Sequence, residues 1–221
     1  MSTPVAITVP GERLVDVAYR QLRDAIVAVR LQPGTPLDEK GLSASLDIGL
    51  TPIRDALKRL TLEKLAITYP RRGTFVSEIN IADEAKLTEV RVDLEGLAAS
   101  LAAERAGTRD HQELLILLED LESHGIEVDQ HVELDARIHR SIYAAARNTF
   151  LENTLNQYAN LAMRIWNFGL QGQRETVRHA CSQRAVVEAV VAGDPFRARV
   201  AAQDHLRAFS DEVRSMVIAA V

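Results

Sequence analysis

Residues 51–76 read TPIRDALKRLTLEKLAITYPRRGTFV, and this stretch decides the fold of the first part of the chain. Its first half repeats apolar residues at helical spacing, at Ile53, Leu57 and Leu60, behind a proline that a first helical turn tolerates. Its second half changes to a period of two, in two short runs that flank Pro70-Arg71-Arg72-Gly73. The pattern therefore predicts a helix followed by a β-hairpin with a glycine-containing turn.

Two further helices are predicted upstream of this stretch. Apolar residues recur at helical spacing over about 12–30, and the prolines and glycine of 31–36 end that helix. Asp38 is placed to cap a second, short helix that runs through Leu46. The order of helix, helix–turn–helix and hairpin is typical of a winged helix–turn–helix, whose third helix fits the major groove of DNA.

The rest of the chain is predicted to be helical throughout. The candidate helices are 83–105, 108–123, 128–146, 149–170, 173–192 and 195–219, with breaks at Gly107, Gly125, Asn148, Gly172 and Gly193-Asp194-Pro195. Such a segment is long enough to bury its own core. The sequence thus predicts a mainly α protein with a winged helix–turn–helix domain over 1–79, a linker over 80–83 and an all-α bundle over 84–221.

Composition and charge are those of a globular protein with two different halves. Of the 26 Lys and Arg and 31 Asp and Glu, residues 1–80 carry eleven and nine, whereas the remainder is acidic and holds all six histidines. The single cysteine, Cys181, excludes an internal disulfide and fits a reducing compartment. No apolar run approaches the roughly 20 residues of a membrane helix, and the N-terminus lacks the features of a signal peptide, so we expect a cytoplasmic location.

The first module resembles the DNA-binding domain of GntR-family transcriptional regulators. The resemblance rests on 31–37 (LQPGTPL), 51–60 (TPIRDALKRL) and 72–76 (RGTFV), which occur in order and with the family's spacing. The residues that it implies at the DNA are Lys40 in the second helix, Thr51, Arg54, Lys58 and Arg59 in the third, and Arg71, Arg72 and Gly73 in the wing. Arg54 is the candidate for reading a guanine edge, and Lys58 for adding phosphate affinity.

One departure from that family pattern lies at the start of the third helix. Gly49-Leu50 stands where the family usually has Ser-Arg, so an arginine that is normally available to DNA is absent. The alternative interpretation of the module is a solvated basic face and an exposed hairpin that bind protein instead of DNA.

The second module resembles the FCD effector domain of the FadR-type branch of the same family, through 89–99 (EVRVDLEGLAA) and 135–148 (DARIHRSIYAAARN). The resemblance implies a bundle of six or seven helices that dimerises and binds a small ligand, often a carboxylate, at its centre. In many members it also implies a metal ion held by one aspartate and three histidines.

The candidate metal ligands are Asp135, His139, Gln183 and His205. Asp135 and His139 lie four residues apart, so a helix presents both on one face. His205 matches the last family histidine, but Gln183 stands where the preceding one is expected, and an amide oxygen is a weaker ligand than imidazole. Either Asp135, His139 and His205 hold Zn²⁺, Ni²⁺ or Mn²⁺ with Gln183 or water, or the pocket binds an organic ligand directly. His179, one turn earlier, would replace Gln183 only if the helix shifts.

Three further residues are candidates for effector binding: Arg91, Arg164 and Asn167. Arg91 lies on an apolar-rich helix, where a charge without a partner would be costly, and its guanidinium matches a carboxylate. The alternative is an ion pair with Glu95, one turn later. Arg164 and Asn167 lie with Trp166 on a mid-bundle helix and are candidates for lining the same cavity; the alternative, which is more common for such residues, is simple packing.

These observations favour a metabolite-responsive transcription regulator, most often a repressor, whose homodimer binds a near-palindromic operator and responds to an organic acid. Two alternatives belong to other classes. One is a metal-dependent hydrolase that uses Asp135, His139 and His205, although no general base or nucleophile motif accompanies them. The other is a helical scaffold that binds protein.

Overall fold

The computed structural model describes residues 11–80, 82–123, 128–169 and 183–219. Their contacts form two compact units, one made of 11–80 together with Met163–Phe168 and the other of the remaining described residues. The architecture confirms the predicted fold class, because the described residues are mainly helical and one small antiparallel sheet follows the first three helices.

The N-terminal unit contains helices α1 (Leu14–Val27), α2 (Glu39–Leu46) and α3 (Leu50–Leu62), then strands β1 (Ala66–Tyr69) and β2 (Gly73–Val76). The side chain of Asp38 accepts a hydrogen bond from the Gly41 amide at 2.7 Å, which is the predicted cap of α2. Helix α1 ends earlier than the predicted residue 30, because Val29 adopts a left-handed conformation with φ of 54°.

The hairpin has a third partner that the sequence pattern did not predict. β1 and β2 pair from Ala66 with Val76 to Tyr69 with Gly73. Beyond β2, the Leu37 amide donates to the Thr74 carbonyl at 2.8 Å and the Val76 amide donates to the Thr35 carbonyl at 2.9 Å. The turn segment before α2 therefore covers the free edge of the wing, which would otherwise expose unpaired backbone groups.

The described part of the C-terminal unit contains six helices: α4 (Asp83–Arg105), α5 (Thr108–Glu122), α6 (Val128–Ala145), α7 (Thr149–Gly169), α8 (Arg184–Val191) and α9 (Pro195–Ala219). Five of them begin and end within about three residues of the predictions, because glycine, proline and cap residues mark their ends. The first part of the predicted helix 173–192, with His179 and Cys181, lies outside the described residues.

Apolar stripes of α4, α5, α6, α8 and α9 meet in one buried core that includes Leu114, Leu117, Ile138, Val187 and Val190. Helices α4 and α9 approach closely at Gly96, where a β-carbon would lie 3.0 Å from Cγ of Gln203. The same unit also buries polar side chains, among them Asp135, Gln183 and His205.

Candidate functional site

The third helix of the N-terminal unit separates apolar from charged residues. Ile53, Leu57 and Leu60 are buried, with at most 4% of their surface exposed. All residues that the sequence predicts at the DNA are exposed: Lys40, Thr51, Arg54, Lys58, Arg59, Arg71, Arg72 and Gly73. Because the apolar stripe fixes the helix against α1, its charged side remains available to a duplex.

Arg54 is held at the surface by an acidic neighbour. Its Nε lies 2.6 Å from Oε2 of Glu39, at the start of α2, and the two side chains are 56% and 41% exposed. Lys58 forms a similar exposed pair with Asp55 at 3.0 Å. Exposed pairs of this kind contribute about 0–1 kcal/mol, so phosphate or a base edge can replace the carboxylate as a partner.

Arg59 has a different environment from Arg54. Its guanidinium carbon lies 3.5 Å from the centre of the Tyr19 ring of α1, and its Nε lies 3.2 Å from Oε1 of Glu63. The Tyr19 hydroxyl donates to the same carboxylate at 2.6 Å. These contacts tie α1 to α3, whereas the DNA contact of Arg59 stays a prediction.

Arg71 and Arg72 are both exposed at the tip of the wing. Arg71 and Gly73 have φ of 63° and 96°, and the Arg72 amide donates to the Tyr69 carbonyl at 3.1 Å. Glycine adopts such a conformation without cost, which explains its position in the turn. Leu50, the first residue of α3, is 37% exposed. It stands in the position where the family usually has arginine.

The C-terminal unit brings together all four predicted metal ligands. Asp135 and His139 come from α6, Gln183 directly precedes α8, and His205 belongs to α9. Nε2 of Gln183 lies 2.8 Å from Oδ1 of Asp135, 2.9 Å from Nε2 of His139 and 3.0 Å from Nε2 of His205. We call these four residues the polar cluster. Its members come from three separate segments, so only the packed bundle assembles it.

A second row of charged groups extends the polar cluster into α4. Nδ1 of His139 lies 2.8 Å from Oε2 of Glu95, whose Oε1 lies 2.6 Å from an Nη of Arg91. The ion pair with Glu95, one of the two interpretations of Arg91, is therefore present, and both side chains are at most 6% exposed. The Tyr143 hydroxyl lies 3.3 Å from Nδ1 of His139. Tyr143 was not among the predicted site residues, although its position one turn after His139 on α6 was a usable signal.

Burial and neighbouring charges set the protonation of these groups. Burial opposes ionisation of Glu95, but Arg91 and His139 outweigh it and hold the pKa of this carboxyl far below its usual range. Burial, assisted by the neighbouring His139, lowers the pKa of His205 to about 4. His205 is therefore a neutral imidazole near pH 7, with a lone pair on one ring nitrogen.

The structure does not bring Arg164 and Asn167 to the polar cluster. An Nη of Arg164 donates to the Ser77 hydroxyl at 2.7 Å, and Nδ2 of Asn167 donates to the Val27 carbonyl at 2.9 Å. Burial lowers the pKa of Arg164 to about 10. Both residues belong to Met163–Phe168, the part of α7 whose contacts assign it to the N-terminal unit. Their predicted role in effector binding is therefore not supported by their contacts.

The polar cluster fits a divalent metal only in part. The ligand atoms of Asp135, His139 and His205 all lie within 4.8 Å of one another, a group that could hold an ion. The fourth residue departs from this arrangement, since Gln183 turns its amide nitrogen, which has no lone pair for a cation, toward the other three. Its oxygen is buried and has no hydrogen-bond partner among the residues that the structure describes. The four residues as arranged do not fit a four-ligand metal centre.

A winged helix–turn–helix with an exposed basic recognition helix, joined in one chain to a helical domain with a buried polar centre, defines a DNA-binding transcription regulator. Residues 14–76 match the bacterial regulatory proteins of the gntR family, and residues 86–208 match the FCD domain. The chain therefore belongs to the GntR family, as a member with an FCD domain. Members of this family are transcriptional regulators and not enzymes, so the hydrolase alternative is wrong.

Individual proteins agree with the family matches. The chain is 28% identical over 88% of its length to an uncharacterized HTH-type transcriptional regulator of Streptomyces ambofaciens, 83% of which is covered. It is 30% identical to a protein of Paenarthrobacter nicotinovorans named "Probable D-xylose utilization operon transcriptional repressor", covering 86% of this chain and 85% of that one. The structure of Escherichia coli McbR/YncC has the same fold, with a TM-score of 0.77 at 20% identity over 92% of this chain and 98% of that one.

None of the helices in the described ranges combines the length and the apolar character that crossing a membrane requires.

Proposed function

We propose that this chain is an effector-responsive transcriptional repressor that binds its operator as a homodimer. The observation that carries the proposal is the position of Arg54: it is exposed on a helix whose opposite side is fully buried. An arginine in this position can donate two hydrogen bonds to a guanine in the major groove. A repressor role is supported by the name of the Paenarthrobacter nicotinovorans relative.

Operator recognition divides between α3 and the wing. Arg54 reads a base edge, Lys40 and Lys58 contact phosphates, and the amides at the start of α3 add a positive end to the helix. Arg71 and Arg72 extend the contact beside the recognition helix, and the close turn at Gly73 lets the backbone approach the duplex.

The C-terminal bundle supplies the effector response. Its centre gathers two histidines, two carboxylates and Arg91 in otherwise apolar surroundings. Burying so many polar groups costs free energy, and clusters of this kind are typical of functional sites. A small organic acid that binds one arrangement of the bundle better than another shifts the population and thereby changes operator affinity. The FCD domain supports this assignment, since it is an effector domain.

The test is DNA binding by the full-length chain to a fragment from its own upstream region, measured by fluorescence anisotropy against a scrambled fragment of the same length. We expect selective binding that weakens steeply with salt. Because each lost phosphate contact reduces the salt slope by about 0.9, Arg71→Ala combined with Arg72→Ala should reduce the slope by about 2 at most. Equal affinity for both fragments at every salt concentration contradicts operator recognition.

The effector arm of the test adds small carboxylates to the preformed complex, with light scattering to give the mass of the protein in solution. We expect at least one acid to change the operator affinity about fivefold or more, as is usual for allosteric coupling. A monomeric mass at concentrations that saturate the operator contradicts the homodimer.

A further inference from the structure

We infer that the amide of Gln183 takes the place of a metal ion at the centre of the bundle, so that the polar cluster is closed by hydrogen bonds and holds no divalent cation. This inference concerns the composition of the bundle centre and is tested without DNA. Its failure would therefore leave the proposed regulatory function intact.

The Gln183 amide nitrogen lies among the other three members of the polar cluster. It is 2.8, 2.9 and 3.0 Å from one ligand atom each of Asp135, His139 and His205. An atom without a free lone pair therefore faces the three atoms that a cation would need, and it cannot serve as a fourth ligand. Gln183 is 1% exposed, so its side chain has no solvent-filled space into which it could withdraw. A cation would have to displace a fully packed side chain.

The donors of the cluster come from the Gln183 amide. An amide nitrogen has two hydrogens and no free lone pair, whereas a carboxylate and an unprotonated imidazole nitrogen accept. Nδ1 of His139 lies 2.8 Å from the carboxylate of Glu95, so a ring proton resides there, and the tautomer with an unprotonated Nε2 accepts from Gln183. The amide thus donates one hydrogen to the Asp135 carboxylate and directs the other at the two ring nitrogens.

The opposite orientation of the amide is unfavourable. Turning the amide by 180° would place Oε1 at 2.8 Å from the Asp135 carboxylate, with no proton between two oxygens. A cation at the centre, or a proton on Nε2 of a histidine, would be needed to make that orientation favourable. In the observed orientation Oε1 lacks a partner among the described residues, which is the smaller cost because a neutral carbonyl is left unsatisfied instead of a charged group being opposed.

Both carboxylates near the polar cluster have donors within the protein. Arg91 compensates the charge of Glu95, and the Gln183 amide donates a charge-assisted hydrogen bond to Asp135. Because the amide is neutral, the one negative charge that remains is that of Asp135, which is stabilised by this hydrogen bond.

The experiment measures metal in the full-length protein, purified without chelator and with any affinity tag removed. Elemental analysis should give fewer than about 0.1 ion per chain for the unmodified protein, whose melting temperature should not change with EDTA or with added Zn²⁺, Ni²⁺ or Mn²⁺. Gln183→His restores an imidazole ligand, and we expect this variant to bind Zn²⁺ or Ni²⁺ at about one ion per chain, at least about tenfold tighter than the unmodified protein.

Gln183→Glu is the matched second variant, because it keeps the shape of the side chain and replaces the donor by an acceptor. We expect it to melt at a lower temperature in EDTA and to regain stability when Mn²⁺ or Zn²⁺ is added. This variant keeps the test decisive if Gln183→His does not fold.

One result overturns the inference: about one ion per chain in the unmodified protein that disappears in His139→Ala. An ion that persists in His139→Ala is bound elsewhere and leaves the centre closed by Gln183, as inferred. Equal metal affinity in the unmodified protein and in both Gln183 variants would likewise contradict the role assigned to the amide.

Discussion

Two arginine–glutamate pairs, one in each unit, have the same closest distance but differ in burial. Arg54 and Glu39 approach to 2.6 Å at the surface, where their side chains are 56% and 41% exposed. Arg91 and Glu95 also approach to 2.6 Å, but they are only 6% and 3% exposed. Water and salt screen the first pair, whereas the second is shielded from both and shares its carboxylate only with His139 among the described ion pairs. The comparison teaches that burial, and not the ion pair itself, decides whether an arginine remains available to a partner such as DNA.

The same contrast holds for the whole of each unit. Within residues 11–80 the buried side chains are apolar or aromatic and the charged ones lie outside the core, as a surface that meets a polyanion requires; the charged side chain that this unit buries, Arg164, comes from α7. The C-terminal unit buries Arg91, Glu95, Asp135 and His205 within its apolar core. Removing an exposed charged side chain from the first unit is therefore expected to change the affinity for DNA. Removing a buried charged side chain from the second is expected to lower the free energy of unfolding.

The largest expected effect is on the buried pair. Glu95→Ala leaves Arg91 and His139 without their carboxylate, so the free energy of unfolding should fall by about 3–5 kcal/mol. Urea denaturation followed by circular dichroism measures it. The double variant Arg91→Met with Glu95→Gln serves as the control, since removing both charges should cost less than Glu95→Ala. A loss below 1 kcal/mol for Glu95→Ala, on the order of an exposed pair, would remove the distinction between the two pairs.

The next effect is on operator discrimination. Arg54→Ala should weaken binding to the operator by about 1–3 kcal/mol and leave stability within about 0.5 kcal/mol, because the pair that it breaks is exposed. Competition binding against a non-specific duplex measures the first quantity and thermal unfolding the second. Arg207→Ala is the matched control, since Arg207 forms an exposed pair with Asp204 at 3.0 Å in the other unit. Unchanged discrimination would exclude Arg54 as a base-reading residue.

Arg59 sharpens the comparison, because it is exposed and yet engaged with another helix. Arg59→Ala removes the contact with the Tyr19 ring and should lower the free energy of unfolding by about 1 kcal/mol. Arg59→Lys should recover part of this loss, since a lysine ammonium also binds an aromatic face. Unchanged stability together with a loss of operator binding would instead assign Arg59 to DNA.

The smallest expected effect concerns the partner of Arg54. Glu39→Gln removes a negative charge that competes with DNA for the guanidinium, so non-specific affinity should rise by up to about 1 kcal/mol. The preference for the operator should fall, because Arg54 loses the contact that holds its position. Anisotropy titrations with both duplexes at one salt concentration measure the two changes. Weaker binding to the non-specific duplex would contradict competition.

The helices and the hairpin were largely predictable, because their signals are local. Asp38 caps α2 as predicted, and the change from helical to strand period after Leu65 places β1 and β2 correctly. The pairing of Thr35 and Leu37 with β2 was not predictable, because a turn-rich segment has no hydrophobic periodicity from which its hydrogen-bond partner could be inferred. The early end of α1 also escaped prediction, because no glycine marks the left-handed residue at Val29.

The candidate sites were predictable to different extents. Spacing alone placed Asp135 and His139 on one face of α6, and resemblance to the family selected Gln183 and His205. Neither could give the direction of the Gln183 amide, because that depends on acceptors from two other segments. Arg164 and Asn167 were assigned to the bundle because they lie on one of its helices, whereas the last turns of that helix pack within the other unit.

The sequence by itself determined the order of the helices, the wing, the basic recognition helix and the residue types of the polar cluster. These features depend on periodicity, caps and turns, which act over a few residues. Only the tertiary structure decided that Arg54 pairs with Glu39, that Arg91 is buried against Glu95, and that the Gln183 nitrogen lies among Asp135, His139 and His205. Burial and hydrogen-bond direction depend on residues far apart in the chain, so packing alone leaves one ion pair at the surface and places the other in the core.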